Sequence, residues 1–371
     1  GNERISKYDF AKKLATAFGL DPDLIQPIQA SRIKTGIRRP LDLSLSDQKI
    51  CAELDMKGIT VDDSIKRLRT DKSACEEVRH LGRLIPYGKH FIDSEDVEVV
   101  SKTLRSGTLT QGPNISLFEE SVANYTGAKH AVAVSSATAG LHLAYLAAGL
   151  KSRNFILTSP ITFVSTANAS LFCGGSVEFA DINRDTINIG FESVKKALES
   201  NTDIQIVVPV LFSGATDGVP EICKLAKSHD KFVVEDAAHG LGASYHCGAK
   251  VGSCKYSDAT VFSLHPVKSI AAGEGGVVTT NNDELYEKLI SLRSHGITRE
   301  TAKFKQKDLA ETDQKINLWY YEMERLGYHY RLTDIQASLA NSQLQKLDKF
   351  ISKRREIVAK YKCFFENFQF I

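Results

Sequence analysis

The sequence predicts an α/β fold: a mostly parallel sheet flanked by helices, with a small helical appendage ahead of it. Three observations carry this. Short apolar runs recur through the middle of the chain, at His130–Val134, Ile204–Val210, Phe232–Val234 and Ala259–Ser263. Unbroken runs of this kind read as strands buried on both faces, as in a parallel sheet. Helical segments such as Ile115–Tyr125 and the stretch after Gly140 separate them, and strands alternating with helices imply a parallel architecture. A carboxylate pair, Glu235-Asp236, closes the Phe232–Val234 run, at the strand end where open α/β sheets place their ligands.

The 371 residues suffice for a sizeable core and for two or three domains. The formal net charge of +2 gives no reason to expect nucleic acid or an anionic membrane as a partner. No apolar run approaches the roughly 18 residues that span a bilayer, and no signal-peptide pattern opens the chain. Seven cysteines, an odd number with scattered spacing, point to free thiols in a reducing, cytoplasmic compartment. Cys247 and Cys254 lack a second Cys/His pair, so they read as part of a loop between strands, and no metal is expected.

Gly1-Asn2-Glu3 has no start methionine, so the chain is expected to begin inside a longer polypeptide. Ser6 with Asp9 three residues on predicts a helix start, Phe10, Leu14 and Phe18 line one face, and Gly19 ends it. A proline-punctuated stretch Asp21–Pro27, the segment Arg38–Ser44 and a short helix near Val61–Leu68 follow. The strings ISKYDFAKKLATAFGLD, RRPLDLSLSDQKI and GITVDDSIKRL resemble the C-terminal tail of dTDP-4-dehydrorhamnose reductases. That resemblance implies a substrate-binding remnant over residues 1–70; a helical appendage without a ligand is the alternative. Residues 71–84, polar and mixed in charge, read as a linker.

From residue 85 the chemistry gathers. Thr108–Pro113 is a turn before the helix Ile115–Tyr125. The strand His130–Val134 leads through Ser135-Ser136-Ala137-Thr138-Ala139-Gly140 into a helix. A helix N-terminus presents unpaired N–H groups and the positive end of the macrodipole, which suits a phosphate, although such a turn also serves as a plain helix cap. Phe163 follows Thr158–Thr162 and reads either as a ring-stacking residue or as a core phenylalanine. After Ile204–Val210 and Leu211–Gly214, the stretch Lys231–Gly276 supplies Asp236, His239 three residues later, Ser263, Lys268 and the glycine-rich exit Gly273-Glu274-Gly275-Gly276. A strand-end Asp and a lysine after a second strand match the two protein groups that pyridoxal 5'-phosphate requires: an amine for a Schiff base and a carboxylate that keeps the pyridinium nitrogen protonated.

EDAAHGLGA followed by TVFSLHPVKSIAAGEGGVVTTN resembles the aminotransferases that act on nucleotide-linked keto-sugars, within pyridoxal-phosphate fold type I. Among these it is most like the C4 aminotransferases of the pseudaminic acid pathway. The resemblance runs from about Ile85 to the C-terminus and implies a large domain with a seven-stranded sheet over 85–371, the small C-terminal domain being truncated. It implies roles residue by residue. Lys268 is the Schiff-base lysine and later the proton-moving base, and Asp236 is the partner of the pyridinium nitrogen. His239 contacts the ring or its phenolic oxygen, Phe163 stacks on the ring, and Ala137, Thr138 and Ser263 hold the phosphate. His265 is local structure in this pattern. Related dehydratases carry histidine where this chain has Lys268, so amino transfer is favoured over deoxygenation.

Arg293–Arg299, Trp319–Glu322 and LGYHYRLTDIQA (Leu326–Ala337) continue the resemblance. The last segment implies a homodimer with shared active sites, in which His329, at a position usually Asn, meets the partner's cofactor phosphate or merely packs there. One long helix is expected from about Ile335, with Lys353-Arg354-Arg355 as a solvated face. The function implied is transfer of an amino group from glutamate to C4 of a UDP-linked 4-keto-6-deoxy amino sugar. The alternatives are an inactive cofactor-binding module and a structural piece of a larger fused enzyme.

Overall fold

The structure, a computed structural model, describes residues 6–17, 19, 21–26, 60–70, 88–313 and 315–365. The segment 38–44, the linker expected over 71–84 and the opening Ile85-Pro86-Tyr87 lie outside the described residues. Internal contacts divide the chain into two units, Gly1–Tyr87 and Gly88–Ile371.

In the first unit, α1 (Lys7–Ala17) and α2 (Val61–Thr70) begin alike. Ser6 Oγ accepts the Asp9 N–H at 3.0 Å and donates to its carboxylate, and Thr60 does the same with Asp63 at 3.0 and 2.7 Å. Each hydroxyl satisfies an orphan amide of the first helical turn. Ala15 and Ile65 are buried, and Lys13 pairs with Asp62 at 2.7 Å.

The second unit contains α3 (Ser94–Leu104), α4 (Pro113–Thr126), β1 (His130–Val134), α5 (Ala137–Ala147), β2 (Phe155–Thr158), α6 (Ser165–Phe172), β3 (Ser176–Phe179), α7 (Phe191–Ser200), β4 (Ile204–Val208), α8 (Val219–Ser228), β5 (Phe232–Asp236), β6 (Ala259–Ser263), β7 (Gly276–Thr280) and α9 (Asp283–Arg293). After a short α10 (Lys307–Ala310) come α11 (Asp334–Gln345) and α12 (Leu347–Phe365). Strands β1 to β7 form one seven-stranded sheet in the order β1-β7-β6-β5-β4-β2-β3. Strands β6, β5, β4, β2 and β3 run parallel to one another, and β7 is antiparallel to both of its neighbours. The mostly parallel seven-stranded sheet of the sequence reading is therefore present.

The two-residue period of a strand sends alternate side chains to opposite faces. Val132, Val134, Val234, Val261 and Val278 join the cluster under α5 and α9, whereas Ala131, Ala133, Val233, Phe262 and Val277 join the cluster with Phe118, Ile222 and Leu344 from α4, α8 and α11. Both faces are covered, which explains why β1, β4, β5 and β6 read as apolar runs. Two consequences follow at the end of β5. Asp236 shares the face of Val234 and α5, and Glu235 points to the other side.

The single helix expected from Ile335 is two helices. The chain bends at Lys346, whose N–H closes onto Gln343 and Leu344 carbonyls. Its amine pairs with Asp93 and, at 3.1 Å, with the fully buried Asp96. Ser342 and Gln343 also donate to Asp96, at 2.6 and 2.7 Å, tying α11 to α3.

Asp334, fully buried, does similar service for the loop before α4. Its carboxylate accepts the N–H of Gly112 at 2.6 Å and of Asn114 at 3.0 Å. Asp334→Ala would leave both amides unpaired, so urea unfolding should show a loss of about 2–4 kcal/mol. A loss below about 0.5 kcal/mol would mean that the loop holds itself.

Candidate active site

The parallel strands β5 and β6 end side by side, Val261 pairing with Asp236, and the chain beyond each end supplies the polar groups. Asp236 is almost fully buried. Its Oδ1 accepts the Ala238 N–H at 3.2 Å and its Oδ2 accepts the Thr166 hydroxyl at 2.6 Å. Burial of a carboxylate is tolerated where donors of this kind meet it.

Lys268 lies in the turn after β6, and its Nζ is 2.7 Å from His239 Nε2. His239 lies in the turn after β5, where the Ser213 N–H donates to its Nδ1 at 3.3 Å. A neutral imidazole whose Nδ1 accepts carries its proton on Nε2. In that tautomer the Nε2–H would donate to Lys268 Nζ when the amine is deprotonated. Burial holds the Lys268 amine below the ordinary lysine range, against an opposing pull from Asp236. Burial first, and the Lys268 charge second, hold His239 below its usual value.

The Ser213 amide reaches His239 because residues 212–214 form a tight turn. Ser213 has φ +52° and Gly214 φ +84°, the left-handed region that side chains rarely adopt. A Cβ on Gly214 would also lie 2.9 Å from the His239 carbonyl oxygen.

The phosphate-type turn is at the start of α5. Ser136 Oγ accepts the Ala139 N–H at 3.1 Å, while the N–H groups of Ala137 and Thr138 have no partner within the helix. This turn packs directly on Gly276: a Cβ there would come within 2.6 Å of the Ala137 nitrogen. Gly276 also pairs with Ser263 across β6 and with Val134 across β1. Ser263, buried, therefore borders the same corner as Ala137 and Thr138.

Phe163 lies between β2 and α6 with 73% of its surface exposed, so the alternative of an ordinary core phenylalanine does not hold. The ring of His329 stacks on His295 at 5.3 Å between centroids. Its neighbours Tyr330 and Arg331 meet Ser135 and Val134 beside the α5 turn. His239, Asp236 and Lys268 thus come together, Ala137, Thr138 and Ser263 share a corner, and within one chain the His329 ring faces another histidine.

Four residues near these groups escape the sequence reading. Thr162 and Thr166 flank Phe163, and their four-residue spacing at a helix start is the one signal they carry. Ser213 acts through its backbone, which no side-chain pattern reveals. Arg354, read as part of a solvated face, donates to the carbonyls of Lys268 and Ser269 at 3.3 Å each, from far along the chain.

The donor set fits pyridoxal phosphate: an amine whose charge burial disfavours, a buried carboxylate, an exposed aromatic ring and open helix-end amides on one edge of the sheet. Because burial disfavours the ammonium, Lys268 loses its proton below the pH at which ordinary lysines do. Competitive acylation of the protein across pH 6–11 should therefore label Lys268 with a midpoint below that of the bulk lysines. A midpoint coinciding with theirs would count against this effect of burial.

The model of the DegT/DnrJ/EryC1/StrS aminotransferase family, whose members are in general pyridoxal-phosphate-dependent, matches residues 90–371. The UDP-4-amino-4,6-dideoxy-N-acetyl-beta-L-altrosamine transaminase of Campylobacter jejuni is 42% identical over 285 residues, covering 76% of this chain and 70% of that protein. The spore coat polysaccharide biosynthesis protein SpsC of Bacillus subtilis is 38% identical over 290 residues, 78% of this chain and 71% of that one. Helicobacter pylori PseC, an aminotransferase involved in the biosynthesis of pseudoaminic acid, superposes with a TM-score of 0.68 at 34% identity, covering 77% of this chain and 72% of that chain. With its fold, its strand-end lysine and aspartate and these likenesses taken together, the chain belongs to the DegT/DnrJ/EryC1/StrS aminotransferase family.

Proposed function

We propose that the protein transfers an amino group from glutamate to C4 of a UDP-linked 4-keto-6-deoxy amino sugar, using pyridoxal 5'-phosphate. The observation that carries this reading is the amine of Lys268, held in contact with His239 beside a buried Asp236. The likeness to the altrosamine transaminase supports the sugar and the C4 position.

In this reading Ala137, Thr138 and Ser263 hold the phosphate, Phe163 covers one face of the ring, and Asp236 faces the ring nitrogen. Bound there, the cofactor supplies the carbonyl that takes up the amino group and an electron-poor ring that stabilises negative charge at the donor's α carbon. Asp236, shielded from water, would face the ring nitrogen and keep a proton on it. Burial lowers the Lys268 amine and His239 holds it in place, so that Nζ, once deprotonated, can take the proton from the amino-bearing carbon of the donor. In the second half-reaction the same nitrogen delivers a proton to C4 of the sugar. The donor leaves before the sugar binds, and ping-pong kinetics follow.

We further read the protein as a homodimer with His329 at the partner's phosphate. The segment from Leu318 to Leu326 supports this, since Leu318, Trp319, Met323 and Leu326 are all more than two-thirds exposed, an apolar grouping suited to a protein partner. Residues 1–70 are proposed as a substrate-binding remnant, 71–84 as a linker and 85–371 as the aminotransferase large domain. Cys173, Cys223, Cys247, Cys254 and Cys363 are free thiols, which supports a reducing, cytoplasmic setting. Among the described residues no helix is long and apolar enough to cross a membrane.

Three measurements test the reading. Holoprotein mixed with glutamate should change its absorbance from the pyridoxal to the pyridoxamine form, and adding a UDP-4-keto-6-deoxy sugar should reverse this and yield the 4-amino product. Borohydride reduction of the holoprotein followed by peptide mapping should place the pyridoxyl group on Lys268. No spectral change with glutamate, or a label on another lysine, would overturn the assignment. Sedimentation should give a dimer; a monomer with full cofactor occupancy would refute the shared site.

A further inference from the structure

Behind Asp236 runs a chain of two hydroxyls that the mechanism so far leaves unused. Thr166 Oγ1 donates to Asp236 Oδ2 at 2.6 Å, and Thr162 Oγ1 lies 2.6 Å from Thr166 Oγ1. A hydroxyl has one proton. Since Thr166 gives its proton to the carboxylate, the bond between the two threonines must be donated by Thr162. Each bond polarises the next, which strengthens the donation at the carboxylate.

The chain runs from the interior to the open edge. Thr166 is fully buried, Asp236 nearly so, and Thr162 is half-buried beside the exposed Phe163. Thr166 is also held from its backbone: its N–H donates to the Phe163 carbonyl at 3.1 Å, and its own carbonyl accepts the buried Tyr145 hydroxyl at 3.2 Å. A β-branched side chain on a fixed backbone has little rotamer freedom. The direction of its O–H is therefore set by the fold, and with it the plane of the carboxylate.

We propose that Thr166, backed by Thr162, is a positioning residue for amino transfer: the hydroxyl chain fixes the orientation of the Asp236 carboxylate toward the ring nitrogen of the cofactor. The inference rests on the reading that Asp236 faces that nitrogen. It also gives Phe163 a second consequence, because the loop that carries the ring is the loop that carries the outer hydroxyl.

The test uses holoprotein of the full chain and reads the cofactor dissociation constant, the rate of the glutamate half-reaction and the thermal midpoint. Thr166→Val keeps the shape and removes the donor. It should slow the half-reaction by roughly ten- to a hundred-fold and weaken cofactor binding several-fold, as expected for the loss of a hydrogen bond to a charged group. Thr166→Ser restores the hydroxyl and should recover the rate to within about threefold, a rescue that a packing role for the threonine methyl would not give. Thr162→Val should slow the reaction by about two- to fivefold, since water can replace the outer donor.

Asp236→Asn, run in parallel, separates the two layers of the claim. In that background Thr166→Val should add less than about a twofold further loss, because residues that act as a unit are non-additive. If Asp236→Asn is strongly impaired while Thr166→Val stays within about twofold of wild type, or if the two losses multiply, the positioning role is overturned and the reading of Asp236 stands. If Asp236→Asn itself reacts at the wild-type rate, the reading of Asp236 falls, and the inference with it. Should Thr166→Val fail to fold, Thr162→Val decides: an unchanged rate overturns the proposal.

Discussion

The interaction on which the site depends is the burial of one carboxyl group, Asp236, at the end of a strand covered on both faces. A carboxylate in that place needs donors at hydrogen-bond distance. The chain provides them from Thr166 on α6 and Ala238 in the following turn, while Lys268 and His239 lie close enough to share its field. The neighbouring Glu235 raises the same problem on the opposite face. There Tyr245 and Thr260 hydrogen-bond to it at 2.6 and 2.8 Å, and burial pushes its carboxyl up toward the neutral form. The sheet thus keeps two adjacent acids from charging against each other by placing them on different sides.

Close backbone approach is the second requirement. The α5 turn can lie on β7 because residue 276 has no side chain, and the Ser213 amide reaches His239 because residues 213 and 214 take left-handed conformations. In both cases the functional group is a main-chain N–H. Such donors are fixed by the fold and lose no rotamer freedom when they bind.

The sheet was legible because its central strands are buried on both sides and so read as unbroken apolar runs. The lysine and aspartate were legible because they follow two such runs at strand ends. The outer sheet strands were harder: Ser176–Phe179 is short and partly exposed, and a four-residue run carries little periodicity. The break at Lys346 was invisible, since Leu344, Leu347 and Ile351 keep helical spacing across it and the bend accompanies contacts to Asp93 and Asp96, remote in sequence. Arg354 is exposed, as its run predicts, but its bonds to the Lys268 and Ser269 carbonyls were invisible for the same reason. Local patterns report periodicity and strand ends; they do not report which distant carbonyl a guanidinium will meet.

The antiparallel strand β7 has a bearing on when this protein becomes competent. It is inserted between β6, its near neighbour in sequence, and β1, whose His130 pairs with Thr280. Gly276 of that strand joins Ser263 to the turn of Ala137 and Thr138. A nascent chain emerging from the ribosome can pair β2, β3, β4 and β5 in turn, yet the corner proposed for the phosphate is not assembled until β7 has followed. Non-local closure of this kind is slow. Cofactor capture should therefore belong to the end of folding, after the lysine loop has been synthesised and enclosed.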